Sequence, residues 1–121
     1  MIGLLVALAG SCGAVVRFVA DGALRARLGG AFPWATIIVN VTGSVLLGVL
    51  AGLVGRGVPV GVLTVLGLGF CGGYTTFSTA SVESVTLLRQ GRPAAAALNA
   101  VGTLALTVAA AWLGLLLTRG R

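Results

Sequence analysis

The sequence predicts an all-α membrane protein of four transmembrane helices, the third of them broken at Gly72-Gly73. Three observations carry this. Of 121 residues 58% are hydrophobic and only 8% charged, with a mean hydropathy of +1.13, whereas a water-soluble domain carries about a quarter charged residues. The apolar residues fall into four runs, approximately Ile2–Ala20, Ala35–Val54, Gly61–Leu88 and Pro93–Thr118, each long enough for the roughly 20 residues a helix needs to cross a bilayer. The connectors between them are short, so residues 1–121 form a single transmembrane domain with no room for a soluble one.

The first run opens MIGLLVALAG and lacks the basic n-region of a signal peptide, so it reads as a retained helix. Arg17 lies inside it, close enough to its end for the side chain to reach the headgroups, with a vestibule or structural role. Asp21 falls at the interface, followed by a connector with Gly29-Gly30 and Pro33. Trp34 at the start of the second run and Trp112 near the end of the fourth fit interfacial anchors. Asn40, a mid-helix amide with two N–H donors, has Thr36 and Ser44 four residues to either side, which makes a polar stripe on the second helix.

The third run is longer than a span requires and contains GFCGGYTTFSTAS, Gly69–Ser81. Paired glycines at mid-span weaken a helix, and the freed backbone groups cannot face lipid, so such a break belongs where it lines a cavity or binds an ion. Exposed carbonyls there could ligate a hard cation such as Na⁺; the alternative is a glycine kink against a neighbouring helix. Beyond the break stand Thr75, Thr76, Ser78, Thr79 and Ser81, with Phe77 among them. An aromatic edge carries partial positive charge, and beside hydroxyl donors it can host a small anion without a fixed cation that would trap it. Glu83, about a turn further on, is placed to face a water-filled vestibule. Pro93 opens the fourth run, at the helical position proline tolerates best, and Asn99, Thr103 and Thr107 repeat the polar stripe. Such stripes act either as hydrogen-bonding glue between helices or as a polar pathway; three of them in three helices favour the pathway.

Composition excludes much else. All eight basic residues are Arg, scattered between the runs rather than clustered, which suits lipid headgroups and not nucleic acid. With no His and two acids, zinc sites and Ser-His-Asp triads are out of reach, so the chain is not expected to be an enzyme. Cys12 and Cys71 sit in apolar runs, against a disulfide framework of the secreted type. Four spans put Arg56, Arg119 and Arg121 on one side and Arg25, Arg27, Arg89 and Arg92 on the other. Three against four gives the positive-inside rule almost nothing to act on, which permits insertion in both orientations and an antiparallel dimer of one gene product. Gly3, Gly10 and Gly13 in the first helix, with Gly43, Gly48 and Gly52 in the second, would let backbones approach closely.

The strings GSCGAVVRF, TIIVNVTGSVLLG and above all GFCGGYTTFSTAS resemble the bacterial fluoride channel family, Fluc or CrcB, and the resemblance spans essentially the whole chain. It implies an antiparallel dual-topology dimer in the bacterial inner (plasma) membrane that exports cytoplasmic fluoride passively, with a structural Na⁺ at the dimer centre that is not transported. Carried onto this sequence, it implies Gly72 and Thr75 as the Na⁺ carbonyl donors and Asn40 and Phe77 along the fluoride pathway. Ser78 and Thr79 would contribute donors nearby, Thr103 and Thr107 would replace family serines, and Arg17 would be the arginine of the first helix. Two positions depart from the family pattern: Ala80 stands where a second phenylalanine is usual, and Asn99 where tyrosine is common. The partners implied are fluoride, the lipid bilayer and a second copy of the chain, or a paralogous subunit that supplies the missing ring. Two other functions compete. A small multidrug-type proton-coupled exporter needs a membrane-buried acid, and the first helix offers only Asp21 at its end; a non-transporting membrane subunit would need none of the polar residues.

Overall fold

The computed structural model describes residues 1–119; Arg121, counted above among the loop charges, lies outside them. Four helical spans are present. They comprise α1 (Ile2–Leu28), α2 (Trp34–Val54), a bent third span, and α5 (Pro93–Arg119). The third span is α3, residues 60–74, followed after an extended step by α4 (Phe77–Arg89). Within α3 the stretch Leu63–Cys71 is π-helical, a rare geometry that is frequent at functional sites.

The first helix continues past its apolar run to Leu28. Asp21 and Arg25 explain the extension, because Arg25 Nε donates to Asp21 Oδ2 at 2.8 Å across one helical turn. At 27 residues the helix is about 40 Å long, more than the bilayer core of ~30 Å, so it tilts or projects. Arg17 is therefore a mid-helix residue and not one near a helix end. Gly29 stops the helix, its positive φ of 75° available to glycine alone without strain, with its N–H bonded to the Arg25 carbonyl at 3.1 Å. On the same side of the bundle, Arg92 Nη1 donates to the Ala31 carbonyl and ties the first connector to the third, as an even number of spans requires.

The core sits around α2, where Ala35, Ile37, Val39 and Leu50 are buried together with the polar Thr36 and Asn40. Most large apolar side chains of α1 and α5, such as Leu4, Phe18, Leu104 and Leu117, point outward, the arrangement expected where the surroundings are lipid. Two close helix contacts hold the bundle. Where α2 crosses α5, a Cβ on Gly48 would overlap the Ala111 carbonyl, and one on Gly114 the Val45 carbonyl. Where α1 crosses α3, a Cβ on Gly73 would overlap the Gly10 carbonyl, and one on Gly13 that of Phe70. Without a hydrophobic drive between helices, such backbone approach is what brings them together. Gly3, by contrast, has open space around it and joins no contact.

The interruption in the third span begins just beyond the glycine pair. Gly72 and Gly73 remain helical, while Thr75 (φ −81°, ψ 159°) and Thr76 (φ −146°, ψ 116°) are extended. The interruption expected at the pair is present but falls two residues further along, since Gly73 provides the surface on which α1 rests and the chain leaves the helix at Thr75. The physical reason lies in the second helix, in Asn40.

Candidate functional site

In a continued helix the Thr76 N–H would bond to the Gly72 carbonyl. Here it donates to Asn40 Oδ1 at 2.8 Å, and Asn40 Nδ2 donates back to the Thr76 carbonyl at 3.0 Å. Both bonds are buried. The side-chain amide thus supplies donor and acceptor to the one extended residue that most needs them, and holds the break open. The Gly72 carbonyl is released from its helical partner as a result. The last regular turn closes at Thr75, whose N–H and Oγ1 both donate to the Cys71 carbonyl at 2.9 and 2.8 Å.

Thr76 also starts the next helix. Its Oγ1 accepts from the Thr79 N–H at 3.1 Å and donates to Thr79 Oγ1 at 3.1 Å, with Ser78 Oγ 3.5 Å away. This is an N-cap, which satisfies one of the donors a helix start leaves orphaned. Phe77, the first residue of α4, stands with its side chain almost free, 87% exposed.

Two cavities meet at Thr76. The larger is an open groove of about 680 Å³ between α2, α3, α4 and α5, whose walls include Asn40, Thr75, Phe77, Ala80, Thr103 and Thr107. No charged side chain lines it among the described residues. The smaller, about 300 Å³, lies between α1, α2 and α4 and is bordered by Arg17, Asp21, Thr36 and Thr79. The pathway residues expected from the sequence are therefore divided: Asn40, Phe77, Thr103 and Thr107 face the groove, Thr79 the smaller cavity, and Ser78 neither.

Donor supply in the groove is uneven. Ser44, Ser81, Ser84 and Thr107 each give their single hydroxyl hydrogen to a backbone carbonyl four residues earlier, so each must rotate away before it can serve an anion. Asn99 is fully committed, with Nδ2 donating to Ser84 Oγ at 2.8 Å and to the Ala80 carbonyl at 3.4 Å, and Oδ1 accepting from Thr103. It binds α5 to α4 and offers the groove nothing. Asn40 uses one Nδ2 hydrogen on Thr76, and the other has no acceptor among the described residues. It is a donor fixed in place on the groove wall.

The charges are arranged apart from the groove. Arg17 Nη1 lies 3.4 Å from the Thr75 carbonyl and donates to it. Arg25 gathers both acids of the chain: besides Asp21, its Nη2 reaches Glu83 Oε2 and Thr36 Oγ1, each at 3.2 Å. Glu83, expected to face a vestibule, borders neither cavity and is held in this ion pair, only 17% of its side chain exposed. Sequence reasoning missed Thr76 and Arg25 as site residues. A threonine three residues before Thr79 at a helix start is the signal that could have found Thr76; for Arg25 and Glu83, 58 positions apart, there is none. Among the described residues no three His, Cys, Asp or Glu side chains come together as a metal centre.

The family model described as CrcB-like protein, Camphor Resistance (CrcB), matches residues 4–115. Among curated relatives, the fluoride-specific ion channel FluC 1 of Leifsonia xyli subsp. xyli is 51% identical over 113 residues, covering 93% of this chain and 82% of the relative. FluC 1 of Symbiobacterium thermophilum is 48% identical over 120 residues, 97% of each chain. FluC of Nitrobacter winogradskyi is 41% identical over 118 residues, 96% of this chain and 94% of the relative.

Proposed function

This chain belongs to the CrcB-like family, and from that premise we propose that it is a fluoride-selective ion channel, a multi-pass protein of the bacterial membrane that lowers cytoplasmic fluoride by passive export. The observation that carries the reading is the spare N–H of Asn40, a residue that borders a groove lined by hydroxyls and the Phe77 ring, with no charged side chain in its walls among the described residues. Fluoride holds its water tightly, so a filter for it must replace that water with closely spaced donors. Asn40 supplies one without rearrangement. The hydroxyls of Ser44, Ser81 and Thr107 supply others by exchanging a backbone carbonyl for the anion, a swap of one hydrogen bond for another that favours neither state strongly. The positive edge of Phe77 adds attraction. Weak, repeated sites of this kind let an ion enter and leave.

The same framework supports a Na⁺ at the break. Carbonyl oxygens suit a hard cation; Gly72 presents one freed by Asn40, and Thr75 another, whose remaining lone pair would serve beside the bond from Arg17. Two oxygens fall short of the shell of about six that hard cations take; a second copy of the chain, inserted the other way up, would bring the protein oxygens to four. The site would fix the break; it adds no step to conduction. A homodimer fits the balanced loop arginines, and a paralogous partner would supply the ring that Ala80 lacks.

Proton-coupled export is disfavoured because Asp21 and Glu83 are each ion-paired to Arg25 through one oxygen, and neither acid lies in the groove. Expression in a fluoride-sensitive bacterial strain tests the reading. It should restore growth in fluoride, and Asn40→Leu should abolish the rescue. Growth restored equally by Asn40→Leu and Phe77→Ala would favour a non-transporting subunit.

A further inference from the structure

The chain contains eight arginines and only two acids, yet both acids converge on one guanidinium. Arg25 Nε meets Asp21 at 2.8 Å on its own helix, and Nη2 meets Glu83 on α4 and Thr36 on α2, each at 3.2 Å. Three helices are therefore joined at one side chain. Asp21 and Thr36, two of these partners, also wall the smaller cavity, and Thr76 borders both that cavity and the groove. Arg17 is the cation on the same wall, and it points to the Thr75 carbonyl and not to either acid.

We infer that Arg25 is a charge-compensating residue of the anion entrance, which offsets Asp21 on the cavity wall and Glu83 outside it so that fluoride approaches Thr36, Thr79 and Thr76 against a weaker negative field. This rests on the channel reading above. Removing Arg25 would change the cluster from a net charge of −1 to −2 and turn both carboxylates free. A charge several ångströms from the path, in surroundings between water and protein in polarity, lowers local anion occupancy by about threefold to tenfold. The position of Arg25 in the last turns of α1 suits the task, since Thr36 Oγ1 holds the guanidinium from the second helix and orients it between the acids.

The test uses the full chain, purified and reconstituted into liposomes, with fluoride efflux measured per folded protein and folding followed by gel filtration. Arg25→Gln should lower fluoride efflux by about threefold to tenfold, and raising the ionic strength with an impermeant salt should recover much of the loss, because exposed charges are screened. Asp21→Asn and Glu83→Gln added together to Arg25→Gln leave the cluster neutral and should return efflux to at least the level of the unmodified chain. Efflux per folded protein unchanged in Arg25→Gln would overturn the inference. So would a loss that neither salt nor the added neutral substitutions recover, since that is the behaviour of a purely structural tie. Unmodified protein that passes no fluoride would instead sink the channel reading itself, so the two failures are distinguishable.

Discussion

Asn40 is the residue on which the site turns, because one side chain both holds the break and offers a donor to the groove. Its two hydrogen bonds to Thr76 open both roles to test. Asn40→Asp keeps an acceptor for the Thr76 N–H but brings a negative charge to the groove wall; Asn40→Leu removes both partners and leaves two buried backbone groups unpaired, each costing about 1–3 kcal/mol. We expect both variants to lose fluoride efflux and thermal stability, since Asn40→Asp also sets a buried carboxylate against the Thr76 carbonyl. Unchanged stability in both would show that Thr76 finds other partners. Ala80 gives a second prediction at this scale. It lies on the groove wall three residues from Phe77, so Ala80→Phe places a second ring beside the first, and fluoride efflux should rise. A fall would mean that this groove has adapted to the smaller side chain. Asn40 and Phe77 were legible in the sequence because a lone amide and a ring among hydroxyls are conspicuous in an apolar run. Thr76 was not, since its importance comes from a bond to a residue 36 positions away. Asn99 shows the converse: its place in a polar stripe suggested a pathway, but its donors are consumed by Ser84 and Ala80.

Among the elements, the four spans were legible and their ends were not. Hydropathy ends the first run where charge begins, yet the Asp21–Arg25 pair carries the helix on to Leu28. The glycine pair marked the neighbourhood of the break, but its exact place depends on a contact with another helix that local sequence does not encode. The same pair illustrates how glycine serves two ends: Gly73 gives α1 access to the α3 backbone, while the chain departs from the helix beyond it. Gly73→Ala should therefore push α1 off α3, costing about 1–3 kcal/mol as overpacked contacts do, and the yield of assembled protein should fall in gel filtration. Gly48→Ala should do the same at the α2–α5 crossing, whereas Gly3→Ala, with nothing near it, should be silent. A loss from Gly3→Ala equal to the others would show that these contacts do not govern assembly.

For the molecule as a whole, the balanced arginines bear on assembly. If two copies must lie antiparallel, a chain forced into one orientation should be inactive alone. Adding several Lys residues to the second connector near Arg56 biases insertion one way, and adding them near Arg92 biases it the other. Each biased form should fail to restore fluoride tolerance, and their co-expression should succeed. Activity of either form alone would rule out the antiparallel pair. Fold class and family were readable from composition and three motifs; the division of the pathway into two cavities, and the gathering of both acids on Arg25, are products of tertiary structure. The most direct measurement of the central claim is anion release from liposomes carrying this chain alone, with no proton gradient imposed. Fluoride should drain and chloride should stay behind. Release that ignores the identity of the anion, or fluoride retained by liposomes that contain folded protein, would contradict the account.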